Sequence, residues 1–235
     1  MKMKLIIVNR KKIIYLVLLL LLIISFIYAF FEISINTMNF YDPIYKGSED
    51  DKEIAFACNV VWGNEYLPDI IKTFEEKNIK ITFFIGGDWA EKYPELLKLI
   101  HSKGHELGNH GYYHKKQSQL SIEQNKKEIS ETEKIVNKIT GYKTELFAPP
   151  YGDINDRVVK SAEDIGYKVI MWSIDTIDWN TKDYYKILER VRKKQHNGAI
   201  VLMHPTAVTV KALPQLIDEL KANNYSIVKV SDILE

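Results

Sequence analysis

The 235-residue chain has one cysteine, Cys58, so no intrachain disulfide can form. Core packing alone must hold the fold, even in an oxidising compartment that would permit disulfides. The chain also lacks a basic surplus once its N-terminus is set aside. Lys2, Lys4, Arg10, Lys11 and Lys12 are the only charged residues before position 32, and the remainder holds 27 basic and 31 acidic residues, a formal charge of −4. A nucleic-acid binder needs a basic face, so no nucleic-acid partner is expected. There is no internal repeat, which argues against a solenoid.

What is present at the N-terminus is one long apolar run. Ile13 to Phe31 is 19 residues without a charge, enough to cross ~30 Å of hydrocarbon as a helix. A cleaved signal peptide has an apolar region of only ~7–15 residues and a small-x-small site, and Phe30-Phe31-Glu32 offers no such site. The expectation is a single-pass anchor in the cell membrane over 13–31, with the basic head 1–12 in the cytoplasm and the rest outside. Residues 32–52, with Asn36, Pro43, Gly47 and the acidic run 48–51, read as a linker. A single domain then occupies 53–235.

Within that domain short apolar runs alternate with helical spacing. Strands are expected at 54–58, 80–85, 167–172, 199–203 and 226–230, with shorter segments near 104–108 and 146–147. Helices are expected at 65–77, 89–103, 121–139, 184–194 and 212–222. The strands are apolar throughout, as in a parallel sheet covered on both faces. This is an α/β pattern, either a barrel or a doubly wound sheet. Ligands in both architectures bind at the carboxyl ends of the strands. Polar clusters fall at five such ends: Asn59 to Glu65, His110 with His114, Ala148-Pro149-Pro150-Tyr151-Gly152, Asp175 to Trp179, and His204-Pro205-Thr206.

The ordered motifs N-H-x-x-x-H (109–114), F-x-P-P-Y-G (147–152), D-x-x-D-W (175–179) and L-M-H-P (202–205) resemble those of the NodB-type polysaccharide deacetylases, carbohydrate esterase family four. The resemblance covers about 53–235. It implies a distorted (β/α) barrel, one divalent metal ion (zinc first, cobalt or nickel as alternatives), and removal of acetyl groups from an N-acetylated cell-envelope polysaccharide of the peptidoglycan kind. By the same resemblance His110 and His114 are metal ligands and His204 is the general acid. Asp178 orients that acid, Tyr151 supplies an oxyanion-holding N–H, and Trp179 and Leu202 wall the acetyl methyl. Trp62, in a rim loop, is a candidate sugar platform.

The first and third motifs depart from the family. Where it has T-F-D-D-G, this chain reads Ala57-Cys58-Asn59-Val60-Val61-Trp62-Gly63. Asn59 replaces the general base and cannot take a proton. Val60, or Val61 if the gap moves, replaces a ligating aspartate. Ala148 stands where an arginine pairs with the base. Glu65 is the candidate substitute base or ligand, with a first-turn glutamate held by the helix dipole as the alternative. The expectation is a membrane-anchored, metal-dependent hydrolase of this family that removes acetyl groups; the alternative is a catalytically impaired barrel acting as a glycan-binding or scaffolding module. Strand alternation turns Cys58 away from Asn59's face and makes it a structural thiol.

Overall fold

The computed structural model describes residues 10–37 and 42–234. It divides into two compact units, Met1–Phe40 and Tyr41–Glu235. In the first, α1 is a helix over Arg10–Thr37 with exposed apolar side chains from Ile13 to Tyr28. The expected anchor ends on 29–31, whose side chains lie outside the described residues, as do residues 1–9 of the basic head. Among the described residues no helix is long and apolar enough to cross a membrane.

The second unit carries strands β1 (Glu53–Val60), β2 (Thr82–Ile85), β3 (Glu106–Asn109), β4 (Leu146–Phe147), β5 (Lys168–Val169), β6 (Ile174–Asp175), β7 (Ala199–Met203) and β8 (Ser226–Val228). Its helices are α2 (Leu67–Glu76), α3 (Gly87–Lys92), α4 (Pro94–Ser102), α5 (Ile122–Thr140), α6 (Asp156–Glu163), α7 (Tyr184–Lys194) and α8 (Ala207–Ala222). Every strand pairing is parallel, in the order β5-β4-β3-β2-β1-β7-β6, with β8 also on β1. Only residues 170–173 separate β5 from β6, so one stretch of chain pairs with β4 at its start and β7 at its end. The sheet therefore curls on itself, which is the form the expected distorted barrel takes.

Residues 42–52, expected as linker, belong to this domain instead. Ile44 donates to Val169 O at 2.8 Å and accepts from Met171 N–H at 2.7 Å, and Gly47 donates to Gly198 O at 2.8 Å. This segment lines the irregular seam and takes up backbone groups that the seam leaves unpaired.

Alternation along β1 sorts the two core layers. Ile54, Phe56, Cys58 and Val60 join the outer layer with residues of the helices. Ala55 and Ala57 face the interior with Phe84, Leu146, Ala148 and Ile200. The next inward residue after Ala57 is Asn59, at the rim. Cys58 is thus buried in the outer layer.

Local chemistry sets the remaining element bounds. The expected helix 89–103 is split at Tyr93, because Pro94 has no N–H to continue the ladder and opens α4 at its first position. Helix α6 has no counterpart in the sequence expectation; Asn155 caps it, accepting from Val158 N–H at 3.1 Å. Helix α8 starts five residues before the expected 212, where Thr206 Oγ1 accepts from Thr209 N–H at 3.0 Å.

His105, just before β3, is 2% exposed, and its Nδ1 accepts from Ile81 N–H at 3.2 Å. Burial first, then the charge of Lys80, lowers its pKa to about 4. The unfolded chain, with a histidine near ~6.5, binds more protons between those values, so stability is full above pH ~6.5 and falls as the pH drops toward 4. This residue should cost the fold about 2 kcal/mol between pH 7 and pH 5. Urea unfolding of the wild type and His105→Leu at both pH values checks this; equal pH dependence in the two would refute it.

Candidate active site

The rim residues converge on one cavity of about 520 Å³. Asn59 reaches it from β1, His110 and His114 from the loop after β3, and Tyr151 and Gly152 from the turn after β4. Trp172 and Asp175 enter from the seam, Trp179 from the loop after β6, and Leu202 and His204 from the end of β7. Trp62 completes the wall. Trp172 was the residue hardest to anticipate, since it closes an apolar run that reads as plain strand. Gly152 lies against it at φ +63, where an added Cβ would come within 2.6 Å of its ring.

The two histidines are brought together by a loop rather than a helix. Gly111 and His114 take positive φ, 72° and 51°, which turns the chain so that the rings lie 5.0 Å apart between centroids. Glu128, buried on α5, clamps the turn: its Oε2 accepts from Tyr112 N–H at 3.0 Å and Tyr113 N–H at 2.7 Å. Asn109 Oδ1 accepts from Gly111 N–H at 3.0 Å. His110 Nδ1 lies 2.6 Å from Ala148 O, and a carbonyl can only accept, so Nδ1 carries the proton and the Nε2 lone pair is left for the cavity. Burial first, then the neighbouring His114, lowers the His110 pKa to about 3. His114 is lowered too, by burial and then by His204. Both rings are therefore neutral at ordinary pH, the form that binds metals.

Asp178, in the loop after β6 and 2% exposed, accepts from His204 Nδ1 at 2.8 Å, His204 N–H at 2.6 Å and Thr209 Oγ1 at 2.7 Å. His204's ring stacks on Trp62, 5.7 Å between centroids and 7° from parallel. Ile177 before this pair sits in left-handed backbone, φ 51°, a costly conformation for a β-branched residue. Asp175 Oδ1 accepts its N–H at 2.7 Å, and Arg190 Nη1 donates to Thr176 O at 2.7 Å. Those bonds hold the bend that presents Asp178 and Trp179. Tyr151, also left-handed at φ 61°, follows the two prolines and packs its ring against His114, 4.3 Å between centroids and tilted by 46°.

The base side is bare by comparison. Asn59 is 5% exposed and its Oδ1 has no hydrogen-bond partner. Val60 is fully buried in the outer layer. Glu65 does not substitute: it is exposed in the turn before α2 and does not line the cavity. The reason is local, since Gly63 at φ +74 and the Tyr66 N–H to Gly63 O bond turn the chain away there. Among the described residues no group of three His, Cys, Asp or Glu is placed to hold a metal ion. Two imidazoles plus a neutral amide oxygen, a poor zinc ligand, do not complete the site that the resemblance implies, so no catalytic step is assigned to a metal here.

The sequence profile of the family described as polysaccharide deacetylase matches residues 46–170. The Bacillus subtilis protein YlxY, described as uncharacterized, is 37% identical over 83% of this chain, which spans 61% of that relative's length. A peptidoglycan-N-acetylglucosamine deacetylase of Bacillus cereus is 30% identical, covering 83% of this chain and 73% of its own. The crystal structure of BA3943 from Bacillus anthracis, a CE4 family pseudoenzyme, superposes with a TM-score of 0.81 at 39% identity, over 83% of this chain and 69% of that one. A BA3943 mutant is described as having restored enzymatic activity. The chain belongs to the polysaccharide deacetylase family.

Proposed function

We propose that this domain recognises an acetylated glycan of the peptidoglycan kind and removes its acetyl groups far more slowly than complete members of the family do. The observation that carries this is Asn59: the base position holds a buried amide with an unpartnered oxygen, while the acid pair Asp178–His204, reached from the end of the neighbouring strand β7, is intact. An amide cannot accept the proton of an attacking water, and loss of a positioned base costs about 10²–10⁴ in rate. Trp62, Trp179 and Leu202 remain as apolar surfaces for a sugar and its acetyl methyl. The uncharged run 13–31 supports anchoring at the outer face of the cell membrane. Zinc is the first candidate for a cation held weakly between His110 and His114.

Calorimetry with a neutral β-1,4-linked tetramer of N-acetylglucosamine, alongside an acetate assay, tests this. Binding should persist with chelator present, and acetate release should stay near blank with added zinc. No binding would sink the glycan reading. Zinc-dependent release on the order of 1 s⁻¹ or faster would instead support a working deacetylase, the reading favoured by the preserved pair of neutral imidazoles.

A further inference from the structure

Beside the first cavity lies a second, of about 580 Å³. The exposed Trp62 and Trp179 line both, so the two cavities adjoin at this pair of rings. The chemistry changes across that junction. The first cavity carries His110, His114 and His204 together with the apolar Leu202. The second is lined by Tyr66, Asn180, Thr181 and the N-terminal turn of α8, and by two lysines, Lys182 and Lys211.

Both lysines are exposed, and neither makes an ion pair or hydrogen bond among the described residues. Asp178 is the one acid on this wall, and its oxygens are already taken by His204 and Thr209. The nearby Asp183 does not line the cavity; it caps α7 through Tyr185 N–H. The second cavity is therefore cationic, with aromatic and hydroxyl groups suited to a sugar ring.

We infer that this second cavity is a subsite for a sugar unit bearing a carboxylate, next to the acetamido sugar held in the first. The inference rests on the glycan reading above and adds the charge of the neighbouring unit. Trp179 and Trp62 would stack the two units across the junction, and the ammonium groups of Lys182 and Lys211 would meet the carboxylate. Two exposed ion pairs predict a preference for the carboxylated glycan of about three- to thirty-fold, falling as salt screens them.

The test compares the neutral tetramer of N-acetylglucosamine, the same tetramer with O-lactyl ethers on alternate units, and the methyl ester of that compound, by calorimetry at 20 mM and 300 mM salt. The lactyl carboxylate should bind more tightly than both neutral probes at low salt, with the ratio shrinking at high salt. In Lys182→Gln/Lys211→Gln the ratio should fall toward one. Equal affinity for all three probes in the wild type would overturn the inference and leave the glycan reading standing, as would a preference that survives the double substitution. Failure to bind any of the three would overturn both. Thermal unfolding of the double variant, expected to match the wild type because both side chains are exposed, separates lost charge from lost fold.

Discussion

Acetate release from an N-acetylglucosamine oligomer should rise by about 10²- to 10⁴-fold when Asn59→Asp, Val60→Asp and Ala148→Arg are combined and zinc is supplied. Each change addresses one missing part. Asn59 is the last inward-facing residue of β1 and reaches the cavity, so an aspartate there puts a proton acceptor on the cavity wall. Ala148 is buried, and its carbonyl orients His110; an arginine at that position would give the new carboxylate a cationic partner. The third change is the most demanding. Val60 sits in the outer apolar layer at the end of β1, so Val60→Asp alone buries a carboxylate without a partner and should lower the melting temperature. Zinc should recover that loss only if the strand end lets the carboxylate reach the imidazole pair, because a ligand stabilises only the state that binds it. The hydrogen-bonded Asp178–His204 pair is already in place, and if it supplies the acid proposed above, His204→Ala in the triple variant should remove the gain. A triple variant no faster than the parent would mean that the cavity has been reshaped for another task.

The motif residues were legible because their chemistry is rare and their spacing follows strand ends. The strands of a parallel sheet put their carboxyl ends on one rim, which is why five sequence-distant clusters meet in one cavity. The alternation that turned Cys58 outward and Asn59 inward was equally visible. What escaped was whatever depends on tertiary contact. Residues 42–52 carry turn chemistry and read as a linker, yet the sheet's irregular seam offers them backbone partners. Trp172 belongs to an apolar run, and only the break in pairing between β5 and β6 brings it to the cavity. Glu65 was attractive on sequence distance alone, and a single left-handed glycine at 63 directs the chain away from the site. The second cavity was invisible for the same reason, since Lys182 and Lys211 are ordinary surface residues until α8 and the 178–182 loop are set side by side.

Replacing Asp178 should produce the largest loss of stability of any single rim substitution. Asp178→Ala removes the shared acceptor of His204 N–H, His204 Nδ1 and Thr209 Oγ1 and leaves all three donors in a site where its own side chain is fully buried. Orphaned donors of that kind cost about 1–3 kcal/mol each before relaxation, and breaking a buried pair typically totals about 3–5 kcal/mol. For a domain of this size that lowers the melting temperature by roughly 6–20 °C. The consequences extend to recognition. Ile177 holds left-handed backbone at a cost of about 1–3 kcal/mol, and the bonds converging on Asp178 are part of what holds the bend there. Once they are gone the 175–179 loop relaxes, Trp179 leaves the wall shared by both cavities, and glycan affinity falls together with stability. Asp178→Asn keeps one acceptor oxygen and should lie between the two. Thermal unfolding with tryptophan fluorescence reports both effects; a fall of less than about 3 °C in Asp178→Ala, equivalent to only ~1 kcal/mol, would show that this carboxylate does not organise the rim.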